Sequence, residues 1–324
     1  MNQACFSFFK ALCAIALVAV MALCPLVLAA ERECRIAIVK SWDMPEYNTA
    51  LEGFSEVMSK QDVTCETITC NLKGHADSPE EMERIRAFKP NLILTVGSRA
   101  TSVILRNFRD TPVVFSMVLY PVASDFVSSM DRPGDNVTGA AVDVPIERQF
   151  QTLLTIVPNL KRVGVLYSPQ ETRSVIDDAK RVAKSMNIQL IAERVESEGD
   201  VPHALGNLEK QEVNALWSVA DGKVFTGPST KYIIERTVKT RLPFMGPYNG
   251  FVKAGALVAL TADYQDNGRQ AAEIAIRVLN GVKPSAIAVA SPRNIEMSIN
   301  LRVANSIGLK VNRNVISGAS QVFE

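Results

Sequence analysis

Side chains able to do bond chemistry are few. The 324 residues include only two histidines, His75 and His203, and neither stands near a Ser or Cys at the end of an apolar run, where a nucleophile would meet its base. There is no Gly-x-Ser-x-Gly elbow and no Walker-type phosphate loop. Asp43 and Asp221 could in principle form an acid and base pair across a cleft, but nothing around them supports such a reaction. The sequence predicts a protein that binds without converting, with no cofactor and no metal.

The residues suited to binding follow apolar runs. Ser41-Trp42-Asp43, Gly97-Ser98-Arg99-Ala100 and Ser116-Met117-Val118 do so in the first half, and Ser168-Pro169, Ala220-Asp221-Gly222 and Pro247-Tyr248-Asn249 in the second. Hydroxyls, a carboxylate and aromatic rings are the groups that hold a small polar solute.

The runs must be strands. Arg35-Ile-Ala-Ile-Val39, Asn91-Leu-Ile-Leu-Thr-Val-Gly97 and Pro112-Val-Val-Phe-Ser116 are continuous and apolar, as in strands covered on both faces. Between them Ala50, Leu51, Phe54, Val57 and Met58 recur at helical spacing. Ser78 followed by Pro79-Glu80-Glu81 marks a helix start. The order then repeats: Arg162-Val-Gly-Val-Leu166, a helix from Val175 to Met186, Gln189-Leu-Ile-Ala192, Asn214-Ala-Leu-Trp-Ser-Val219 and Pro243-Phe-Met-Gly246. Strands alternating with helices give parallel sheets with helices on both faces. Two copies of one such unit give two α/β lobes, and ligands bind beyond the carboxyl ends of strands in such sheets. The expected site is therefore a cleft between lobes.

Composition agrees with two packed lobes. Apolar residues make up 47% and charged residues 21%, which excludes disorder, and 35 Lys+Arg against 34 Asp+Glu leave no basic run to grip nucleic acid. The apolar stretch Ala11 to Ala30 follows Lys10 and ends in Val27-Leu28-Ala29-Ala30, as in an export signal cleaved after Ala29 or Ala30. Its length also suits an uncleaved anchor. In either case the remainder lies outside the cytoplasm. It keeps Cys34, Cys65 and Cys70. If the first two strands are adjacent and parallel, Cys34 and Cys65 share one edge, where a disulfide can form, and Cys70 is left a buried free thiol.

Leu51-Glu-Gly-Phe54, Arg132-Pro-Gly-Asp-Asn-Val-Thr-Gly139, Lys161-Arg-Val-Gly-Val-Leu-Tyr167, Gly250-Phe-Val-Lys-Ala-Gly-Ala256 and Asn300-Leu-Arg302 together resemble the ABC transporter substrate-binding protein family that includes tryptophan-binding, TrpX-like members. The resemblance covers essentially the whole mature chain. It implies a type I periplasmic binding protein: α/β, two Rossmann-like lobes with parallel sheets joined by a hinge. Crossing segments are expected near Ala140 to Ile146, Gly255 to Thr261 and Pro292 to Ile299. The implied division is 1–30 for the signal, 31–140 with 257–290 for the first lobe, and 141–256 with 291–324 for the second.

The same resemblance implies a small solute, a monomeric receptor, and an ABC permease with its ATPase as partners. An extracytoplasmic sensor that presents its bound form to a receptor kinase is the alternative. Gly97-Ser98-x-Ala100 matches the family's turn, where main-chain N–H groups and a hydroxyl at a helix start suit a carboxylate. Ala220-Asp221 matches an Ala-Asp pair usually followed by Asn or Thr, whereas Gly222-Lys223 follows here. On this reading Asp221 receives an ammonium, Ser116 and Ser168 donate hydrogen bonds, and Trp42, Tyr248 and Asn249 wall the ligand, with Tyr264 at the wall or hinge. Each has a plainer role: Ser98 and Asp221 as helix caps, Trp42 as loop packing. Trp217, alternating within a buried strand, reads as core.

Overall fold

A computed structural model of the chain describes residues 34–61, 64–73 and 78–324. The export segment read over Ala11 to Ala30, and His75, lie outside the described residues. Residues Arg35–Glu324 form one compact unit.

The first sheet runs in the order β2-β1-β3-β4-β5. It contains β1 (Cys34–Lys40), β2 (Cys65–Asn71), β3 (Leu92–Val96), β4 (Val113–Val118) and β5 (Val137–Ala141). Every residue of β3, β4 and β5 is buried, because helices cover both faces of a sheet whose β1–β3, β3–β4 and β4–β5 ladders are parallel. Three helices alternate with these strands: α1 (Pro45–Met58), α2 (Pro79–Phe88) and α3 (Ser98–Asn107). Proline at the start of α1 and α2 presets the backbone where no N–H partner is needed.

The second lobe begins with α4 (Ile146–Ile156), β6 (Arg162–Tyr167), α5 (Arg173–Ser185), β7 (Gln189–Arg194), α6 (Val201–Lys210) and β8 (Ala215–Trp217). It continues with α7 (Gly227–Lys239), β9 (Phe244–Gly246), α8 (Asn249–Ala254) and β10 (Val258–Ala262). The chain then forms α9 (Tyr264–Leu279) before β11 (Ile295–Asn300), α10 (Leu301–Ser306), α11 (Arg313–Ser317) and β12 (Gln321–Phe323) complete the second sheet. Its order is β12-β11-β10-β9-β8-β6-β7, with β10 and β11 antiparallel. The expected α/β class with two mostly parallel sheets is what the fold contains.

The crossings differ in detail from expectation. Gly255 to Thr261 and Pro292 to Ile299 were expected to cross, and 257–290 to belong to the first lobe. Val258–Ala262 instead pairs with both β9 and β11, because the apolar run Ala256-Leu-Val-Ala259 is buried within the second sheet. The chain leaves that sheet only at Asp263. It returns after Ala290, which bridges Ala140 beside β5, and Asn294, whose carbonyl accepts from the Asp263 N–H at 3.0 Å. Val142 to Pro145 form the first crossing.

Between these crossings α9 packs on α1 and on β4 and β5 of the first sheet. Its Asn267 is buried there: Oδ1 accepts from Ser116 Oγ (2.8 Å) and the Met117 N–H (3.0 Å), while Nδ2 donates to the Ala141 carbonyl (2.9 Å). Trp217 lies in the second-lobe core, 1% exposed and edge-on to Phe150 at 5.1 Å.

Candidate functional site

The strand-end loops enclose a cavity of about 700 Å³ walled by both lobes. Tyr47 from α1 and Met117 and Tyr120 from the end of β4 line it on one side, Trp217, Ser218, Ala220 and Tyr248 on the other. Asp143 on the first crossing segment and Tyr264 at the start of α9 also line it. The volume falls in the range of roughly 300–1,000 Å³ usual for small-molecule sites.

Three lining residues, Met117, Tyr120 and Asp125, carry backbone strain. Met117 and Tyr120 have φ of 57° and 51°, in the left-handed region where a side chain costs on the order of 1–3 kcal/mol. A side chain from elsewhere holds each of these two amides: Asn267 Oδ1 accepts from Met117, and both oxygens of Asp143 lie 2.8 Å from the Tyr120 N–H. Tyr120 also spans the cleft, since its hydroxyl accepts from the Ala220 N–H of the second lobe at 3.4 Å.

The electrostatics of the wall are one-sided. Asp125, Asp143 and Asp178 line it, and no Lys, Arg or His is among its described lining residues. Burial pushes the Asp143 carboxyl up to about 7, against the opposing effect of the Tyr120 N–H. Burial also raises the phenols of Tyr120 and Tyr264, helped at Tyr120 by Asp143 and at Tyr264 by Glu46 and Glu296. Arg293, near the third crossing, is committed to Asp266 at 2.9 Å and Glu273 at 3.0 Å. Among the described residues no His, Cys, Asp and Glu group could hold a metal ion, and no helix is long and apolar enough to cross a membrane.

Of the eight residues singled out in the sequence for ligand contact, Tyr248 is the one that lines the cavity. It is 49% exposed and stands edge-on to Phe251 at 4.8 Å. Asn249 donates through Nδ2 to Gln321 Oε1 at 2.7 Å. Trp42 is 46% exposed in the turn after β1. Ser98 opens α3, but the N–H of buried Ala100 donates to Ser41 Oγ at 2.9 Å. Ser116 is engaged with Asn267.

Asp221 is 3% exposed and saturated by its own lobe. Its carboxylate accepts from the Ser168 N–H (2.7 Å), Thr172 Oγ1 (2.6 Å) and the N–H groups of Lys223 (3.1 Å) and Val224 (3.2 Å). It therefore joins the loop after β6 to the turn after β8. Tyr47, Tyr120, Asp143 and Gln149 escaped the sequence reading. The one signal available was that Asp143 and Gln149 sit in or just beyond an expected crossing. Gln149 accepts from Trp217 Nε1 at 2.7 Å and so fixes that ring at the wall.

Residues 14–323 match the ABC transporter substrate binding protein family. The chain belongs to that family. Its members bind a solute and are not enzymes, and they work outside the cytoplasm. The tyrosine-binding protein of Clostridioides difficile (strain R20291) is 26% identical over 214 residues, which are 65% of this chain and 61% of that protein.

Among solved structures, a ligand-free, open substrate-binding protein with adhesive properties from Clostridium difficile superposes with a TM-score of 0.74 at 20% identity, over 90% of this chain and 99% of that one. An ABC domain from Streptococcus pneumonia in complex with L-Trp gives 0.69 at 20% identity, over 90% and 100%. At such identities the likeness is one of fold.

Proposed function

We propose that this substrate-binding protein is the extracytoplasmic receptor of an ABC importer, closing its lobes on an aromatic amino acid and presenting the closed form to a permease and its ATPase. The cavity carries the reading: an inter-lobe space of about 700 Å³ with Tyr47, Tyr120, Tyr248, Tyr264 and Trp217 on its wall. Aromatic walls suit a flat apolar ligand through offset or edge contacts, and the Tyr hydroxyls supply polar handles. The tyrosine-binding relative and the L-Trp complex point to the same solute class.

Closure has a physical basis in the three crossing segments, which link the two sheets and can absorb a rotation between them. Solute binding in the cleft favours the closed form by its differential affinity for that form.

The test is a thermal-shift screen of ligand-stripped protein against amino acids, nucleosides, sugars and organic acids. At a hundredfold excess over Kd a ligand adds about 2.7 kcal/mol, which moves the midpoint by several degrees. A selective shift with tryptophan, tyrosine or phenylalanine supports the reading. A shift only with sugars or nucleosides sinks it.

A further inference from the structure

Asp221, expected at the cleft, and Asp143, which lines it, differ in kind in their hydrogen bonding. Asp221 accepts four hydrogen bonds from its own lobe, which uses the capacity of a carboxylate. Asp143 lines the cavity and, among the described residues, accepts from one donor, the Tyr120 N–H shared between its two oxygens. The remaining lone pairs are available to a guest.

We infer that Asp143 receives the ammonium group of the solute, and that this contact makes the cleft select ammonium-bearing aromatic compounds over aromatic acids. The inference rests on the aromatic amino-acid reading above and adds to it the residue that sets charge selectivity.

The wall supports this assignment beyond Asp143 itself. Asp125 and Asp178 also line it, but both are exposed and Asp178 is paired with Arg181; Asp143 is the half-buried carboxylate, and no Lys, Arg or His is among the described lining residues to balance a free acid. An anion without an ammonium meets the Asp143 carboxylate in a partly dry space, where like charges are costly. A zwitterion brings its own counter-charge. Burial that raises the Asp143 carboxyl to about 7 agrees with a carboxylate suited to a cation.

Position also favours Asp143. It sits on Val142 to Pro145, the first crossing, and through the Tyr120 N–H it touches the residue whose hydroxyl reaches Ala220 of the other lobe. An ammonium at Asp143 is therefore held where the two lobes meet.

The experiment is calorimetric titration of purified wild-type and Asp143→Asn proteins with L-tyrosine, L-tryptophan and L-leucine, the deaminated acids 3-(4-hydroxyphenyl)propanoate and indole-3-propanoate, and the amine tryptamine. Asn keeps an acceptor for the Tyr120 N–H, and a thermal melt checks folding; the wild-type comparison of amino acid with deaminated acid needs no variant at all. The expected result is that wild type binds an aromatic amino acid roughly 30-fold or more tightly than its deaminated acid, that tryptamine outcompetes the acid, and that Asp143→Asn removes most of the difference.

If the deaminated acid binds as well as the amino acid, or Asp143→Asn binds the amino acid within threefold of wild type, the Asp143 assignment is overturned while the aromatic reading stands. If L-leucine alone binds and requires Asp143, the aromatic reading falls and the ammonium contact survives. Binding of none of these compounds overturns both.

Discussion

Gly268 of α9 lies against the main chain of Ala50 in α1: a Cβ added to Gly268 would stand 1.7 Å from the Ala50 carbonyl oxygen. Gly53 repeats the relation from the other helix, its added Cβ falling 1.9 Å from the Gln265 carbonyl. Glycine at both positions lets the two backbones touch, and Arg269 adds an ion pair to Glu56 at 2.8 Å. This contact anchors α9 to the first lobe after the chain has already built β10 of the second.

Gly268→Ala should force the helices apart. Overpacking of this kind costs about 1–3 kcal/mol or more, so the thermal midpoint should fall by several degrees. Half-buried Gly206, whose added Cβ would meet nothing within 4 Å, serves as the control and should not lose stability. An unchanged midpoint for Gly268→Ala would mean the helices are not in contact as described.

Asp221→Ala should act on stability before ligand affinity. It strands the buried Ser168 N–H and leaves the buried Thr172 hydroxyl only its longer bond to the Ser168 carbonyl at 3.4 Å, and an unsatisfied buried donor costs roughly 1–3 kcal/mol. A chemical-denaturation midpoint should drop clearly, with solute affinity at low temperature changing less than in Asp143→Asn. Loss of affinity at full stability would return Asp221 to the ligand.

Asp143 predicts opposite pH trends for folding and binding. Its folded pKa is about 7 against an ordinary 3.8, so between these values the folded state holds a proton the unfolded chain has lost. Its contribution to stability is therefore fullest below about pH 4 and declines as pH rises to 7. An ammonium needs the anion, so affinity should rise from pH 5 to 7 and level off above, with proton uptake by buffer seen in calorimetry near pH 6. A flat affinity profile in wild type, matching that of Asp143→Asn, would contradict this.

The cysteines give a covalent test. Cys34 and Cys65 are each disulfide-bonded, and Cys70 is free and buried. We propose that Cys34 and Cys65 pair with each other, which non-reducing peptide mapping of the exported protein should recover as one linked pair. Burial, with Glu81 adding to it, pushes the Cys70 thiol up to about 12. Native protein at pH 8 should thus resist alkylation at Cys70 until denatured. Rapid labelling of the native protein would show an open first-lobe core.

Local pattern was enough for the elements. Continuous apolar runs identified β1, β3, β4, β6 and β8, and helical spacing identified α1 and α5, because burial on two faces and the helical period both leave a mark within a few residues. The repetition of that order implied two lobes and a cleft beyond the strand ends. Trp217 was legible as core from its place in a buried strand, and Tyr248 as a wall from its place just after one.

Tertiary structure decided which strand-end groups face the cleft and which are spent on holding it. Ser116 is claimed by Asn267, 151 residues away; Asp221 is claimed by Ser168, 53 residues earlier; the Ala100 N–H is claimed by Ser41, 59 residues earlier. No local period encodes such partnerships. The left-handed backbone at Met117 and Tyr120, the seating of β10 in the second sheet and the open carboxylate of Asp143 likewise arise only when distant segments meet. Sequence by itself determined a two-lobed binder, since hydrophobic periodicity is a local property; the chemistry of its cleft was settled by long-range hydrogen bonds, which exist only in the folded chain.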